Sequence, residues 1–179
     1  MKIILDAKKI DQIILDLTEK IISALGENLR EQLVTIGIRS RGEVLAQRLA
    51  ASLSKKLDMD VPCGTLDITL YRDDFNSPKR VDQLEVRTTE IGFDIDDKLV
   101  ILVDDVLYTG RSTRAALDAL IDLGRPRAIK LAVLVERDGR EFPIQADFVG
   151  YKAITKPGES IKVNFVESDG KDQVYIEEE

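Results

Sequence analysis

The chain has 179 residues, 44% of them apolar and 33% charged, which suits one globular, well-solvated domain with a substantial core rather than a disordered chain. Its 33 acidic residues against 26 basic give a net charge of −7, which disfavours broad, non-specific nucleic-acid binding. There is no histidine, so imidazole catalysis, histidine metal ligands and Ser-His-Asp triads are excluded.

The single cysteine, Cys63, cannot close an internal disulfide and fits a reducing cytoplasm. No signal-peptide pattern and no apolar run long enough for a bilayer is expected to take the chain to a membrane. In chain order, Ile10, Ile13, Ile14, Leu17, Ile21 and Leu25 follow helical spacing, with Gly26 as a stop. Leu33 to Ile38 reads as a short buried strand. After the turn RSRG, the residues Val44, Leu45, Leu49, Leu53 and Leu57 make one stripe of a second helix. GTLDITLYRDD contains a strand that ends in charge. Phe75 to Thr89 is polar with little periodicity, as in a mobile loop or an irregular hairpin. Lys98 to Val103 reads as a strand leading into a loop that carries Asp104 and Asp105. The helix that follows stops at Gly124, with Pro126 just beyond. AIKLAVLV is a further buried strand. Short strands follow near Asp147 to Tyr151, Ile161 to Val166 and Gln173 to Ile176.

Strands alternating with helices predict an α/β fold with a mostly parallel central sheet flanked by helices. Ligands in such sheets bind at the carboxyl ends of the strands. Four charged loops fall there: RSRG, YRDD, DDVLYTGRST and ERDGR. Two carboxylates suit the cis-diol of a ribose, and the free N–H groups of the turn and helix start at Thr109 to Thr113 suit a phosphate. Together they point to a sugar phosphate, with phosphoribosyl pyrophosphate the best fit. The competing phosphate patterns, GxxxxGK[ST] and a GxGxxG after the first strand, are absent.

Each site has a plainer reading. Asp104 and Asp105 alone would pass for a charged strand end. Ser40 would serve as an ordinary helix cap, whereas Arg39 and Arg41 around it, with Gly42 permitting close backbone approach, suit pyrophosphate oxygens. Tyr71, Arg72, Asp73 and Asp74 are either a solvated loop or the start of a lid. Arg137 and Asp138 are either another charged strand end or neighbours of the pyrophosphate or base. Phe142, Phe148 and Tyr151 fit a core as readily as a base-binding hood.

At IGIRSRGEVLAQRLA, GTLDITLYRDD, VILVDDVLYTGRSTRAALDALIDLGRP and KLAVLVERDGREFPIQADFVG the chain resembles type I phosphoribosyltransferases. It is most similar to the family of bifunctional pyrimidine operon regulators and uracil phosphoribosyltransferases. The resemblance implies the type I fold with a small C-terminal hood. One domain would span 1–179, with a flexible loop over about 72–89 and the hood largely within 137–179. It implies transfer of the phosphoribosyl group from phosphoribosyl pyrophosphate to uracil with Mg²⁺, giving UMP and pyrophosphate. Asp104 and Asp105 would hold the ribose hydroxyls, and Arg72 and Asp73 would act with them in catalysis. Val106, Leu107 and Tyr108 would lead into the 5′-phosphate loop of Thr109, Gly110, Arg111, Ser112 and Thr113. Arg39, Ser40, Arg41 and Gly42 would form the pyrophosphate loop. Tyr71 and Asp74, with Arg72 and Asp73, would start the flexible loop, and Arg137 would lie near the base and the leaving group. Direct protein ligands to Mg²⁺ are not implied, and base contacts of the hood would include backbone groups.

The family's second activity is binding of a leader mRNA in transcription attenuation, in a homodimer or higher homo-oligomer. The first helix here reads KKIDQIILDLTEK, and Asp11, Asp16 and Glu19 oppose a phosphate backbone there. Lys8, Lys9, Lys20, Arg30, Lys152 and Lys156 are the residues left to form a basic patch. Two other readings stand beside the uracil enzyme. One is a UMP-sensing RNA regulator with secondary or lost catalysis; the other is transfer to another base.

Overall fold

The computed structural model describes residues 1–73 and 86–178. Asp74 and most of the polar segment read as a loop lie outside the described residues. The described elements are β1 (Lys2–Asp6), α1 (Ala7–Ala24), β2 (Leu33–Ile38), α2 (Arg41–Leu57), β3 (Cys63–Leu66) and β4 (Leu99–Leu107). They continue with α3 (Arg111–Leu123), β5 (Ala128–Arg137), β6 (Phe148–Ala153), β7 (Glu159–Asn164), a single turn α4 (Val166–Asp169) and β8 (Gln173–Glu178).

Five strands form one parallel sheet in the order β3-β2-β4-β5-β6. Buried on both faces, its central strands read as continuous apolar runs rather than alternating ones. Successive residues of β4 show why. Leu99, Ile101 and Val103 join the cluster under α1 and α2, and Val100 and Leu102 join the cluster under α3. The apolar stripe of α1 (Ile10, Ile13, Ile14, Leu17, Ile21) is buried in the first cluster. Asp6 caps that helix by accepting from the Lys9 amide at 2.9 Å. Among the described residues no helix is long and apolar enough to cross a membrane.

A second, antiparallel sheet of order β1-β8-β7 is the hood. Its middle strand, β8, pairs with β1 from the opposite end of the chain. The sequence reading placed no strand before α1, because five residues directly abutting a strong helix carry little signal of their own. The predicted strand near Asp147 to Tyr151 is β6, the edge of the parallel sheet. Leu5, Val163, Phe165 and Val174 sink into the same core as α1 and α2, so the hood is fixed to the body by burial.

One sequence expectation is corrected. The acidic pair is not in a loop after a strand ending at Val103. β4 continues to Leu107, with Asp104 opposite Val133 and Leu107 opposite Glu136 on β5. The long apolar strand β5 supplies a partner ladder beyond Val103, so the two carboxylates are held on rigid backbone.

Candidate active site

The ends of β2, β4 and β5 carry most of the residues singled out from the sequence. Asp104 is only 8% exposed. The Asp105 amide donates to Asp104 Oδ1 (3.0 Å), and the Val106 amide donates to Asp105 Oδ1 (2.9 Å). Burial pushes the Asp104 carboxyl well above the usual carboxylate range, and the Asp105 charge beside it adds to that. Burial also raises Asp105, against the opposing pull of its hydrogen bonds to Asp104 and the Val106 amide and of the Arg41 charge. Two carboxylates held this way are poised for a cationic or hydroxyl-bearing ligand.

Gly42 explains how α2 comes so close. A Cβ there would sit 2.7 Å from the Val103 carbonyl oxygen and 3.1 Å from Asp104 Cα, so only glycine lets the helix start abut the acidic strand. Ser40 occupies the cap position of α2 but makes no side-chain cap bond, so the plain capping role is not realised; the Arg39–Ser40 peptide is cis. Arg39 is turned toward the returning limb of the polar segment. It donates from Nε to the Thr88 carbonyl (2.9 Å) and pairs with Glu43 (3.3 Å) and Glu90 (3.5 Å). Arg41 points the other way and pairs with Asp169 at 2.9 Å.

Helix α3 starts at Arg111. Gly110, at φ +89°, takes the left-handed conformation at its cap. The Arg111 amide donates to Thr109 Oγ1 (3.2 Å) and the Arg114 amide to the Gly110 carbonyl (2.9 Å). The Ser112 and Thr113 amides have no acceptor among the described residues, which leaves an anion site at the helix start. The Arg111 side chain is gripped by Asp73 (2.5 Å) and Glu141 (2.7 Å) and lies over the Phe142 ring at 4.9 Å. Arg72, Asp73, Thr109, Arg111 and Ser112 line a cavity of about 190 Å³, so the described part of YRDD does meet the phosphate loop. Tyr71 is anchored to α3: its hydroxyl donates to Asp122 Oδ2 (2.8 Å), and its carbonyl accepts from Arg114 (2.7 Å).

Tyr108 is exposed between these groups and Arg137. The Arg137 guanidinium lies 3.9 Å from the Tyr108 ring centroid and donates to the Glu159 carbonyl of the hood (2.8 Å), leaving Nε buried without a partner among the described residues. Arg140 donates to the Tyr108 carbonyl and pairs with Glu136 (2.8 Å). Val106 is half-buried and Leu107 buried. Phe148 is core, and Phe142 supports Arg111. Tyr151 is exposed.

Sequence reading missed Asp169, Glu141 and Asp122 as partners of the site. Each is an ordinary charged residue of a loop or helix surface, and only the long-range pairing distinguishes it.

Residues 1–169 match the phosphoribosyl transferase domain family. The bifunctional protein PyrR of Deinococcus radiodurans is 56% identical over 146 residues, covering 82% of this chain and 79% of that protein. The bifunctional protein PyrR of Desulfosudis oleivorans is 50% identical over 178 residues, covering 97% and 94%. The hypoxanthine phosphoribosyltransferase structure of Trypanosoma cruzi has a TM-score of 0.70 over 98% of this chain and 95% of that one. At 18% identity that is a likeness of fold.

Proposed function

This chain belongs to the phosphoribosyl transferase family, in the branch of the bifunctional PyrR proteins, and we propose that its site joins uracil to phosphoribosyl pyrophosphate. The products are UMP and pyrophosphate. The observation that carries this reading is the meeting of two unlike sites on one sheet edge. A carboxylate pair, Asp104 buried and Asp105 half-buried, stands on β4, and a helix start with unclaimed amides follows it within a few residues.

In this reading the Ser112 and Thr113 amides, with Thr109, Gly110 and Arg111, hold the 5′-phosphate. Asp104 and Asp105 orient the ribose hydroxyls and offset positive charge as the ring becomes oxocarbenium-like. Arg39, Ser40, Arg41 and Gly42 receive the leaving pyrophosphate, whose growing charge the arginine donors stabilise. The C1′–oxygen bond to pyrophosphate breaks, the bond from uracil N1 to C1′ forms, and the N1 proton passes to solvent. With no histidine in the chain, that proton has no imidazole acceptor. Arg137, tied to the hood at Glu159, faces the base. Arg72 and Asp73 act from the rim of the phosphate loop, and a bound phosphate competes with Asp73 and Glu141 for Arg111.

Asp104 and Asp105 set hard carboxylate oxygens side by side at the end of β4 and would hold Mg²⁺ together with the substrate, since this ion takes one or two carboxylates beside substrate phosphates. Bound with the substrate, it supplies charge neutralisation on the departing pyrophosphate. A cytoplasmic, homo-oligomeric enzyme completes the proposal.

The test is a side-by-side turnover assay with phosphoribosyl pyrophosphate, Mg²⁺ and uracil, hypoxanthine, guanine or orotate. Selective UMP formation is the expected result. No turnover with any base, in folded protein that still binds UMP, overturns it. A second reading, an RNA-binding attenuator responsive to UMP, is favoured by the "bifunctional" name of the relatives. Against it, α1 presents Asp11 and Asp16 to solvent, pairs Glu19 with Lys56 (2.6 Å) and ties Lys20 to the Val149 carbonyl (3.0 Å). Salt-sensitive binding of a pyrimidine-operon leader RNA, tightened by UMP, decides that role.

A further inference from the structure

Arg41 stands where three parts of the molecule meet. It is the first residue of α2, it lies beside Asp105, and it pairs with a residue of the hood 128 positions away. With Asp105, Asn164 and Tyr175 it lines a cavity of about 220 Å³ between the end of β4 and the hood strands. A guanidinium has five donors in a fixed plane. Here one of them, Nη2, goes to Asp169 Oδ1, while Nε is buried and has no partner among the described residues. The ion pair therefore anchors one end of the fork and leaves other donors for a ligand.

Asp169 is itself immobilised. Its Oδ2 accepts from the Phe165 amide (3.0 Å) and the Ser168 hydroxyl (2.9 Å), which leaves Oδ1 for Arg41. The turn that carries it is clamped from both sides. Phe165 is fully buried, and Arg48 of α2 pairs with Glu167 (2.6 Å) and Asp172 (2.8 Å) while lying over the Phe165 ring. A side chain held by locked neighbours is preorganised, so less rotamer freedom is lost when the ligand arrives.

We propose that Asp169 is the positioning residue for Arg41, holding its guanidinium in the plane that receives the pyrophosphate of the sugar-phosphate substrate. The inference rests on the placement of Arg41 in the pyrophosphate site. Asp169 touches no reacting atom and acts only through Arg41.

The experiment measures KM for phosphoribosyl pyrophosphate and kcat in Asp169→Asn, Ser168→Ala, Arg41→Ala and the double variant Arg41→Ala/Asp169→Asn, with thermal melting of each. Asparagine keeps an acceptor for Phe165 and Ser168 but removes the charge that orders Arg41. The expected result is a rise in KM of about tenfold with kcat changed less than about threefold. Ser168→Ala, which loosens Asp169 without changing charge, raises KM by a smaller factor. In the Arg41→Ala background the Asp169→Asn change has no further effect on KM. An unchanged or lowered KM in Asp169→Asn, or additive effects in the double variant, overturns the positioning role. Should Asp169→Asn not fold, an unchanged KM in Ser168→Ala overturns it. A normal KM in Arg41→Ala instead sinks the pyrophosphate assignment on which the role depends.

Discussion

Two charged clusters of this molecule use the same residue types to opposite ends. At the carboxyl end of β4, Asp104 is buried with Asp105 half-buried beside it, and their carboxyls rise above the ordinary range. Between α2 and the hood, Arg48 holds Glu167 and Asp172. Its hydrogen bonds lower Glu167 and Asp172 and raise its own pKa, each against the opposing pull of burial. The first cluster costs stability and the second supplies it. Crowding like charges with only Arg41, itself paired to Asp169, nearby is tolerated where a ligand completes the site, whereas a paired cluster is complete in the folded chain alone.

The largest effect should come from removing the acidic pair. Asp104→Asn with Asp105→Asn is expected to cut kcat/KM for phosphoribosyl pyrophosphate by at least about a hundredfold, the scale of losing one preorganised electrostatic contact. The same variant should melt higher than the parent at neutral pH. A carboxyl whose folded pKa is raised contributes stability below its unfolded pKa and loses it as pH rises through the folded value. Unchanged kinetics would remove the pair from the sugar site; a lower melting temperature would show that the carboxylates are not under strain.

Arg48→Ala reverses the pattern. It should destabilise the protein by about 1–2 kcal/mol, since charge-assisted hydrogen bonds are lost but the exposed Glu167 arm is screened by solvent. Turnover of the folded fraction at low temperature should stay close to that of the parent. Chemical denaturation read alongside initial rates checks both halves. A large kcat loss without destabilisation would make the hood clamp part of catalysis.

The same cluster predicts a pH dependence of the opposite sign to the acidic pair. Glu167 and Asp172 are lowered in the fold, so their contribution is present above the ordinary carboxylate pKa and lost as pH falls through their folded values. Melting temperature followed from neutral to acid should therefore drop less in Arg48→Ala than in the parent. Parallel curves would place the acid sensitivity elsewhere.

The smallest effect belongs to Tyr71→Phe. Its hydroxyl donates to Asp122 on an exposed surface, and the acceptor raises the Tyr71 pKa. Loss of that bond should lower the melting temperature slightly. A kcat change well beyond that would mean that anchoring the YRDD segment to α3 gates closure.

How much of this was legible depends on the range of the interaction. The parallel strands and their helices were readable because burial on two faces writes apolar runs and 3.6-residue stripes into local sequence. Strand β1 was not, because its partner β8 lies at the far end of the chain. Gly42 was readable as a point of close approach, and the structure supplies the Val103 carbonyl and Asp104 that it approaches. The chemistry of Asp104 and Asp105 was readable as well. Their place inside β4 rather than in a loop was not, since it follows from pairing with β5.

The sequence by itself determined the α/β class, the acidic pair, the phosphate turn and the absence of imidazole chemistry, because composition and the identity and spacing of neighbouring residues suffice for them. Only the tertiary structure decided that both chain ends build the hood, that Arg39 and Arg41 point to different partners, and that Asp169 stands behind Arg41. Those are contacts between residues far apart in the chain, and no local pattern encodes a charge pair until the core has brought its members together.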